Sequence, residues 1–234
     1  MNKIISASEL DETSLKQLNK VYVNSWEKVL QKEHPEFDKE QITKKQYELL
    51  EQRIKIFPEG QLAFVDEQII GGVNSFIFNG SINEVIEQYD LATSAGTFKN
   101  HQSNGELLIC SAIYISPGHK GVARQLLSRA TLLAKEKGLI ACPYSRPAGF
   151  NKWLKKYARI EELIKGINKV NLNNYLKKYL SLKTEKGTCI DPVIGMHEYF
   201  GAKIERIFYN SRQDDESKNF CILMSYPKNH DILC

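Results

Sequence analysis

Residues 106–138 constrain the fold more than any other stretch, because they combine a strand, a tight arc and a helix. The stretch opens on the apolar, partly β-branched run Leu107–Ile115, which is typical of a buried strand. Pro117-Gly118 and Gly121 then predict a turn. Apolar residues at three- and four-residue spacing follow and predict a helix with one buried face, which Gly138 ends. The sequence therefore predicts a strand–turn–helix unit of an α/β protein.

The arc between this strand and this helix has the properties of an anion site. The first N–H groups of a helix lack internal partners, and the helix dipole adds positive potential there. Gly118, Gly121 and Ala123 carry almost no side chain, so a pyrophosphate could contact backbone amides directly. The patterns GxxxxGK[ST] and GxGxxG are both absent, which excludes a P-loop and a dinucleotide fingerprint. On spacing alone, a strand–turn–helix unit without a ligand is the alternative.

Length and composition set limits on the remaining interpretation. A chain of 234 residues fits one large domain, or one domain with an elaboration. The net charge of +4 is too small to argue for nucleic acid by itself. Cys110, Cys142 and Cys221 lie inside apolar runs, and no CxxC pair occurs, which favours reduced core thiols over disulfides or zinc. With neither a signal-peptide pattern nor an apolar membrane span, we expect a soluble, cytoplasmic protein.

The segments before the motif predict further alternating elements. Two amphipathic helices, the second over residues 37–56, follow a short first strand at residues 3–7. A hairpin over residues 61–78 comes next, and its Gly71-Gly72 pair predicts a bulge or a close backbone approach. Residues 79–105 are polar and low in periodicity, and we interpret them as a solvated insertion. The alternative is that residues 79–105 form a lid over a substrate pocket.

The segments after the motif predict a short strand, a helical region and a return to the sheet. The strand covers residues 139–142 and ends at Pro143. The region 151–190 has two patterned helical segments, whose apolar positions include Trp153, Leu154, Tyr157, Ile160, Leu163 and Ile164 in the first and Leu172, Tyr175, Leu176, Tyr179 and Leu180 in the second. A helix that Asp191-Pro192 starts should turn Val193, Met196 and Phe200 inward. Two last strands are predicted at 202–209 and 220–226.

The arc 118–123, GHKGVA, resembles the acyl-CoA-binding motif of the Gcn5-related N-acetyltransferase (GNAT) superfamily, a glutamine or arginine followed by x-x-G-x-(G/A). This sequence departs from the motif in two ways: Gly118 stands at the first position, and the arc is about two residues shorter. The backbone cradle should survive both changes because its donors are amides. The element order, the SRPAGF stretch at 145–150 and the MHEYFGAK stretch, which resembles "FYEKLGF", add to the resemblance.

The resemblance implies a fold and a ligand. The fold class is α/β (α+β layered), with a central mixed, mostly antiparallel twisted sheet and helices on both faces. Residues 1–234 form a single domain, with insertions at about 79–105 and 145–190, the second of them helical. The strand after Gly138 should splay from Leu107–Ile115 and open a slot for the pantetheine arm of acetyl-CoA or another acyl-CoA. The implied cofactor-binding residues are Ile113, Tyr114, Ile115, Gly118, His119, Lys120, Gly121, Val122, Ala123 and Arg124, and no metal is implied.

The implied activity is transfer of an acetyl or other acyl group to a primary amine by direct attack in a ternary complex. His197 occupies the position at which the superfamily often has a tyrosine that protonates the thiolate, and Tyr199 is the second candidate. A histidine satisfied by local hydrogen bonds is the alternative at His197. Glu106, at the mouth of the motif strand, is the candidate base and would act through water. The strand position usually closest to such a base is the apolar Ile109. No nucleic acid and no membrane are expected as partners, and a homodimer stays open.

Two other functions remain open at this point. The chain could keep the acyl-CoA slot as a non-catalytic sensor, because Gly118 and His197 depart from the motif. It could also be a scaffold that binds partners through the lysine-rich region 151–190. The ordinary interpretation of that region is a solvated helix face. A more specific one is an electropositive rim that attracts CoA phosphates or an acidic acceptor.

Overall fold

A computed structural model of the chain describes residues 2–159, 162 and 166–228. Three apolar positions predicted for the helical region, Ile160, Leu163 and Ile164, lie outside the described residues, as does Cys234. Cys110, Cys142, Cys189 and Cys221 are buried free thiols, which confirms the prediction of reduced core cysteines for the first, second and fourth of them. No helix among the described residues has the length and apolar character needed to cross a bilayer.

A seven-stranded sheet forms the centre of the fold, with the order β1-β2-β3-β4-β5-β7-β6. The pair β4–β5 is parallel and the remaining neighbours are antiparallel, so the predicted mixed, mostly antiparallel sheet is confirmed. The strands are β1 (Lys3–Ser6), β2 (Gln61–Asp66), β3 (Gln68–Phe78), β4 (Leu107–Ile115), β5 (Ile140–Ser145), β6 (Lys203–Phe208) and β7 (Cys221–Ser225).

Helices cover both faces of this sheet. Those described are α1 (Glu12–Glu33), α2 (Lys39–Ile56), α3 (Tyr89–Ala92), α4 (Val122–Glu136), α5 (Phe150–Tyr157), α6 (Lys169–Ser181) and α7 (Pro192–Tyr199). On one face, α1 and α2 pack on a cluster that includes Ala63, Ala112 and Tyr114. On the other, α4 packs with Phe64 and Leu108. The layered arrangement follows from strands whose successive side chains point to opposite faces.

Side-chain caps explain where several helices begin. Asp11, Asp38 and Asn168 each accept a hydrogen bond from the backbone N–H three residues later, at 2.7, 2.8 and 2.9 Å. Asp191 accepts from both Val193 and Ile194 at the start of α7. These bonds satisfy amides that have no partner within the helix. The predicted helix starts therefore lie within a few residues of the observed ones.

The structure corrects three details of the predicted elements. Pro143 lies inside β5 rather than ending it. It sits at the last β4–β5 pair, where a missing N–H removes no further ladder bond. In α7 the buried residues are Ile194, Gly195 and His197, not the predicted face of Val193, Met196 and Phe200, which are half-buried. The buried face of α7 thus lies about one residue further along the chain than the predicted face.

The third correction concerns residues 79–105, which are packed rather than solvated. Val85, Tyr89, Ala92 and Phe98 are buried. Asn100 donates to the carbonyl of Ala92, and the backbone N–H of Ile77 in β3 donates to His101 Nδ1 at 3.0 Å. Because the buried residues are spaced irregularly, the segment showed no helical or strand period despite its apolar anchors. The packed segment forms one wall of a cavity that α1 and α2 also border.

The Gly71-Gly72 pair in β3 has the close approach that the sequence predicted. A Cβ atom on Gly71 would lie 2.4 Å from the carbonyl oxygen of Tyr114, and one on Gly72 would lie 2.5 Å from that of Leu62. The register of β2 against β3 also shifts between Phe64 and Val65, next to this pair. Only glycine allows the three strands to approach this closely. The pair therefore fixes the position of the carboxyl end of β4.

Candidate functional site

The strands β4 and β5 part in the middle of the sheet. Their ladder runs from the pair Leu107–Ile140 to the pair Cys110–Pro143 and ends there. Beyond it, Tyr144 and Ser145 of β5 pair with β7 instead. Among the residues that the structure describes, positions 111–115 of β4 have no strand partner on this side. The two strands thus part where the resemblance to GNAT proteins implied that they would, and binding of a ligand in the opening stays a prediction.

A β-bulge at Ser111 marks the point at which the strands part. Asn74 of β3 pairs with Ala112 and the next residue, Ser75, pairs with Cys110, so Ser111 is the extra residue on β4. A bulge of this kind kinks the strand and changes which face its side chains occupy. Accordingly, Leu108 and Cys110 lie on the α4 face, whereas Ala112 and Tyr114 lie on the α1 face. No residue pattern within β4 predicted this bulge.

The backbone donors predicted from the motif face the opening. The N–H of Ser116 donates to the carbonyl of Ile70 at 2.8 Å, so beyond the bulge the amides of Ala112 and Tyr114 also point towards β3. The amides of Ile113 and Ile115 point the other way, towards the parted strands. The side chain of Tyr114 is buried, and its hydroxyl donates to Asn74 Oδ1 at 3.3 Å. Ile113 and Ile115 thus contribute backbone groups, while Tyr114 contributes packing.

The arc after β4 is exposed and leads into the first turn of α4. Gly118 and Gly121 have φ values of +90° and +84°, and a Cβ on either would meet nothing within 4 Å. Both glycines are therefore needed for the left-handed backbone rather than for space. Gly121 is the N-cap of α4 and makes no side-chain capping bond, and the first turn carries no acidic residue. The N-terminus of α4 keeps its positive potential.

The remaining predicted cofactor-binding residues lie along this arc and first turn. His119 and Lys120 are exposed, Val122 is buried beneath them, and Ala123 is half-buried. The guanidinium of Arg124 lies 5.3 Å from the ring centroid of Phe200, which follows α7. This contact places the end of α7 beside the start of α4. The arc is thus bordered by α7 as well as by β4.

The three predicted catalytic residues occupy different environments. His197 is buried on α7, and its Nδ1 lies 2.8 Å from the hydroxyl of Tyr226. Tyr199 is 60% exposed, with Lys186 Nζ 5.8 Å from its ring centroid. Glu106 is exposed and precedes β4, at the opposite end of that strand from the arc. The geometry at His197 matches the alternative of a locally satisfied histidine, and all three catalytic roles stay predictions.

The buried state of His197 predicts a pH dependence of stability. Burial lowers the pKa of His197 from its ordinary value of 6.5 to about 4. Between these values the unfolded chain binds a proton that the folded chain does not, so lowering the pH favours unfolding. We expect the free energy of unfolding to fall by about 2 kcal/mol between pH 7 and pH 5 from this residue.

The variant His197→Gln isolates this contribution. Urea unfolding of the wild type and of the variant at pH 7 and at pH 5 gives four free energies of unfolding. The decrease between the two pH values should be about 2 kcal/mol smaller in the variant. An equal decrease in both proteins would contradict the neutral, buried state of His197.

A large cavity lies on the α1 side of the parted strands. Its volume is about 680 Å³, and residues of α1, α2, the 79–105 segment and the β6–β7 connection line it. Tyr89, Ser211 and Arg212 also border a small pocket that extends to Ser111 and Tyr144 at the parted strands. The cavity therefore adjoins the opening from the side opposite α4. None of the charged residues that line this cavity was predicted from the sequence.

An aromatic and charged cluster lines the small pocket between the cavity and the opening. The guanidinium groups of Arg146 and Arg212 each lie 4.9 Å from the ring centroid of Trp26. Arg212 forms a bidentate pair with Glu33 at 2.7 and 3.1 Å, and Arg146 contacts Asp214 at 3.3 Å. The buried Nε1 of Trp26 has no hydrogen-bond partner within the part of the chain that the structure describes. A ligand at this point would meet guanidinium groups and an available donor.

The lysine-rich region contributes a border to the arc as well as a solvated surface. Lys183 pairs with Glu198 of α7 at 2.9 Å, and Lys186 lies over Tyr199 of the same helix. Lys156 and Lys169 lie over the rings of Tyr157 and Tyr209. Lys183 and Lys186 therefore both contact α7, and the electropositive rim stays a prediction.

Comparison with known proteins supports the architecture. No family model matches the chain. The "uncharacterized N-acetyltransferase YkwB" of Bacillus subtilis (strain 168) is 26% identical over 180 residues, which cover 76% of this chain and 72% of that protein.

Two solved structures show the same fold over the whole length. The loading GNATL domain of CurA from Lyngbya majuscula has a TM-score of 0.69 at 19% identity, with 99% of this chain and 98% of that chain covered. The GphF GNAT-like decarboxylase in complex with isobutyryl-CoA has a TM-score of 0.64 at 16% identity, with 100% of both chains covered. At these identities the likeness establishes the fold.

Proposed function

We propose that this chain, whose fold is that of the Gcn5-related N-acetyltransferase (GNAT) superfamily, transfers an acyl group from acyl-CoA to a primary amine. One observation carries the proposal: the opening between β4 and β5 leads to an exposed arc at the uncapped N-terminus of α4. A relative called an N-acetyltransferase and a neighbour solved with isobutyryl-CoA support it. Residues 1–234 act in this proposal as one domain.

The arc and the opening hold the two parts of CoA in this proposal. The first-turn amides of α4 and those of the arc, residues 118–124, bind the pyrophosphate, because they are donors at the positive end of a helix. The pantetheine arm lies between β4 and β5 and accepts hydrogen bonds from Ile113 and Ile115. The acyl carbonyl then lies near the bulge at Ser111, where the two strands part. The amine enters from the cavity on the other side.

Positioning supplies most of the rate enhancement in this arrangement. Holding amine and thioester in reacting geometry can supply roughly 7–11 kcal/mol of the barrier. The departing thiolate, with a thiol pKa near 8.5, is better protonated as it leaves. Tyr199 is the proposed proton donor. Burial lowers the pKa of His197 to about 4, so its ring is neutral at pH 7 and is proposed to stabilise the thiolate as a hydrogen-bond donor without releasing a proton. Glu106 is the proposed base through water, and a base of this kind contributes about 10²–10⁴-fold.

A second candidate function is decarboxylation of an acyl-CoA that carries a carboxylate. Arg146, Arg212 and the unpartnered Nε1 of Trp26 lie beyond Ser111, where the far end of such an acyl group would extend. A neighbour covering the whole chain is called a GNAT-like decarboxylase. Both arginines already pair with carboxylates, Asp214 and Glu33, which favours the amine-acylating function.

One set of assays separates the candidates. The protein is incubated with acetyl-CoA and a panel of primary amines, and separately with malonyl-CoA, while free thiol, acylated amine and CO₂ are measured. N-acylation predicts free thiol and acylated amine in equal amounts. Decarboxylation predicts CO₂ and acetyl-CoA from malonyl-CoA without free thiol.

In parallel, binding of desulfo-CoA to the protein is measured, because this compound lacks the thiol and cannot be turned over. A bound ligand raises the melting temperature by mass action. A rise without turnover of any substrate would instead support a sensor. No rise at millimolar desulfo-CoA would overturn both the transferase and the decarboxylase.

A further inference from the structure

The cavity beside α2 contains a buried cation that forms no ion pair with any carboxylate of the described residues. We propose that Arg53 binds a carboxylate group of the acceptor, so that the acceptor is an amine that also carries a carboxylate, such as an amino acid. This inference rests on the proposed function and adds the chemical class of its second substrate.

Arg53 is almost completely buried, yet few of its donors are used. Its exposed fraction is 4%. Within the described part of the chain, its side chain makes one hydrogen bond, from Nε to the carbonyl of Gly96 at 2.6 Å, and no ion pair. The guanidinium also lies 4.9 Å from the ring centroid of Phe98 and 5.7 Å from that of Tyr22. A guanidinium has five N–H donors and prefers the two oxygens of a carboxylate.

Gln46 adds a second unsatisfied group on the same helical stripe. Gln46, Leu49 and Arg53 of α2 follow three- and four-residue spacing and all line the cavity. Gln46 is 4% exposed, and its Oε1 has no hydrogen-bond partner among the described residues. A buried polar atom without a partner is destabilising, so a ligand that supplies the partner is favoured. Two polar groups on one wall of a cavity are thus available to a ligand.

The charges around the cavity leave an excess of cations at this wall. Lys32 pairs with Asp215, and Arg212 pairs with Glu33. The charged residues that then remain in the lining are Arg53, Lys45 and Asp90. Burial raises the pKa of Asp90 and the charge of Glu33 raises it further. Even with Asp90 ionised, the two cations outnumber this one carboxylate. A ligand carboxylate beside Arg53 supplies the missing negative charge.

The position and size of the cavity agree with an acceptor site. Its volume of about 680 Å³ lies within the range of small-molecule sites, roughly 300–1,000 Å³. Tyr89 and Arg212 border both this cavity and the pocket that leads to Ser111. A ligand whose carboxylate lies on Arg53 can therefore direct its amine towards the parted strands.

The test uses matched ligand pairs in the presence of desulfo-CoA. Each pair is an L-amino acid and the corresponding amino-acid amide, which differ in the carboxylate, and affinities are measured by calorimetry. We expect the best amino acid to bind at least 10-fold more tightly than its amide. The variant Arg53→Met should abolish this preference, and Arg53→Lys should retain part of it.

A control variant and the wild type keep the test decisive. Lys44→Met removes one charge from the exposed side of α2, and it should leave the preference unchanged. If Arg53→Met does not fold, the wild-type preference and Arg53→Lys still decide the question. Equal affinity for acids and amides in the wild type, or no binding of any panel member, would overturn the inference.

The outcome also separates this inference from the proposed function. Acylation of amines without a carboxylate preference would support the function and overturn the role of Arg53. Carboxylate-dependent binding that Arg53→Met abolishes, without acylation of any amine, would support the Arg53 site and contradict the function. A purely structural role of Arg53, stacked between Tyr22 and Phe98, predicts lower stability of Arg53→Met with an unchanged ratio of acid to amide affinity.

Discussion

Replacing Ala123 by aspartate is expected to lower the affinity for CoA by about 10²-fold while the stability of the fold stays equal or rises. Ala123 lies in the first turn of α4, which has no acidic residue. A carboxylate there interacts favourably with the helix dipole, by about 0.3–1 kcal/mol. The same carboxylate repels a bound pyrophosphate, by about 3 kcal/mol for charges roughly 5 Å apart at an effective dielectric constant of about 20.

The neutral isostere Ala123→Asn is the matched control. It has nearly the same size as aspartate and lacks its charge, so steric exclusion would lower the CoA affinity of both variants alike. Affinities for desulfo-CoA come from calorimetry, and stabilities come from thermal unfolding without ligand. Because the interaction is between charges, the difference between the two variants should shrink with added salt. Equal affinity of Ala123→Asp and the wild type for desulfo-CoA would contradict binding of the pyrophosphate at the N-terminus of α4.

The unit from β4 to α4 was predictable because its determinants are local. The apolar run of β4, the glycines of the arc and the periodic helix of α4 each specify their own conformation within a few residues. The left-handed φ values at Gly118 and Gly121 follow from the same residues. The strand order and the parting of β4 from β5 came instead from the resemblance, since no residue of β5 by itself specifies its neighbour.

The features that the sequence did not predict depend on distant contacts. The bulge at Ser111 exists only relative to the pairing of β3 with β4. Arg53 lies on the apolar stripe of α2, where the pattern gives no reason for a buried charge. Its burial results from the 79–105 segment, which supplies Gly96 and Phe98. Because that segment has no periodicity, neither its packing nor the cavity could be read from the sequence.

The same reasoning explains the error in α7. Its cap at Asp191 and its proline were local and were predicted, whereas its buried face is decided by partners from α5, α6 and the end of β7. A short helix with apolar residues on several sides does not specify which side faces inward. Because the buried face differs from the predicted one by about one residue, the side chain of His197 is buried. The catalytic role predicted for His197 must therefore be compatible with a buried side chain.

Replacing Asp191 by alanine is expected to lower the free energy of unfolding by about 3–5 kcal/mol. The carboxylate is 1% exposed and accepts four hydrogen bonds. Two come from Val193 and Ile194 and cap α7, one comes from the N–H of Gly149 at 2.9 Å, and one comes from the hydroxyl of Tyr179 at 3.0 Å. Losing the cap costs about 1 kcal/mol, and each buried donor left without a partner costs about 1–3 kcal/mol.

This variant also tests whether residues 1–234 unfold as one domain, because the two tryptophans lie in opposite halves. Trp26 is in α1 and Trp153 is in α5, next to the network of Asp191. Urea unfolding is followed by fluorescence in Asp191→Ala proteins that carry either Trp26→Phe or Trp153→Phe. If the chain is a single cooperative domain, Asp191→Ala should lower the urea midpoint by the same amount whichever tryptophan reports it. The control Asp191→Asn retains one acceptor oxygen and should lower both midpoints less. Loss of the Trp153 signal at a lower urea concentration than the Trp26 signal would show that the second half unfolds separately.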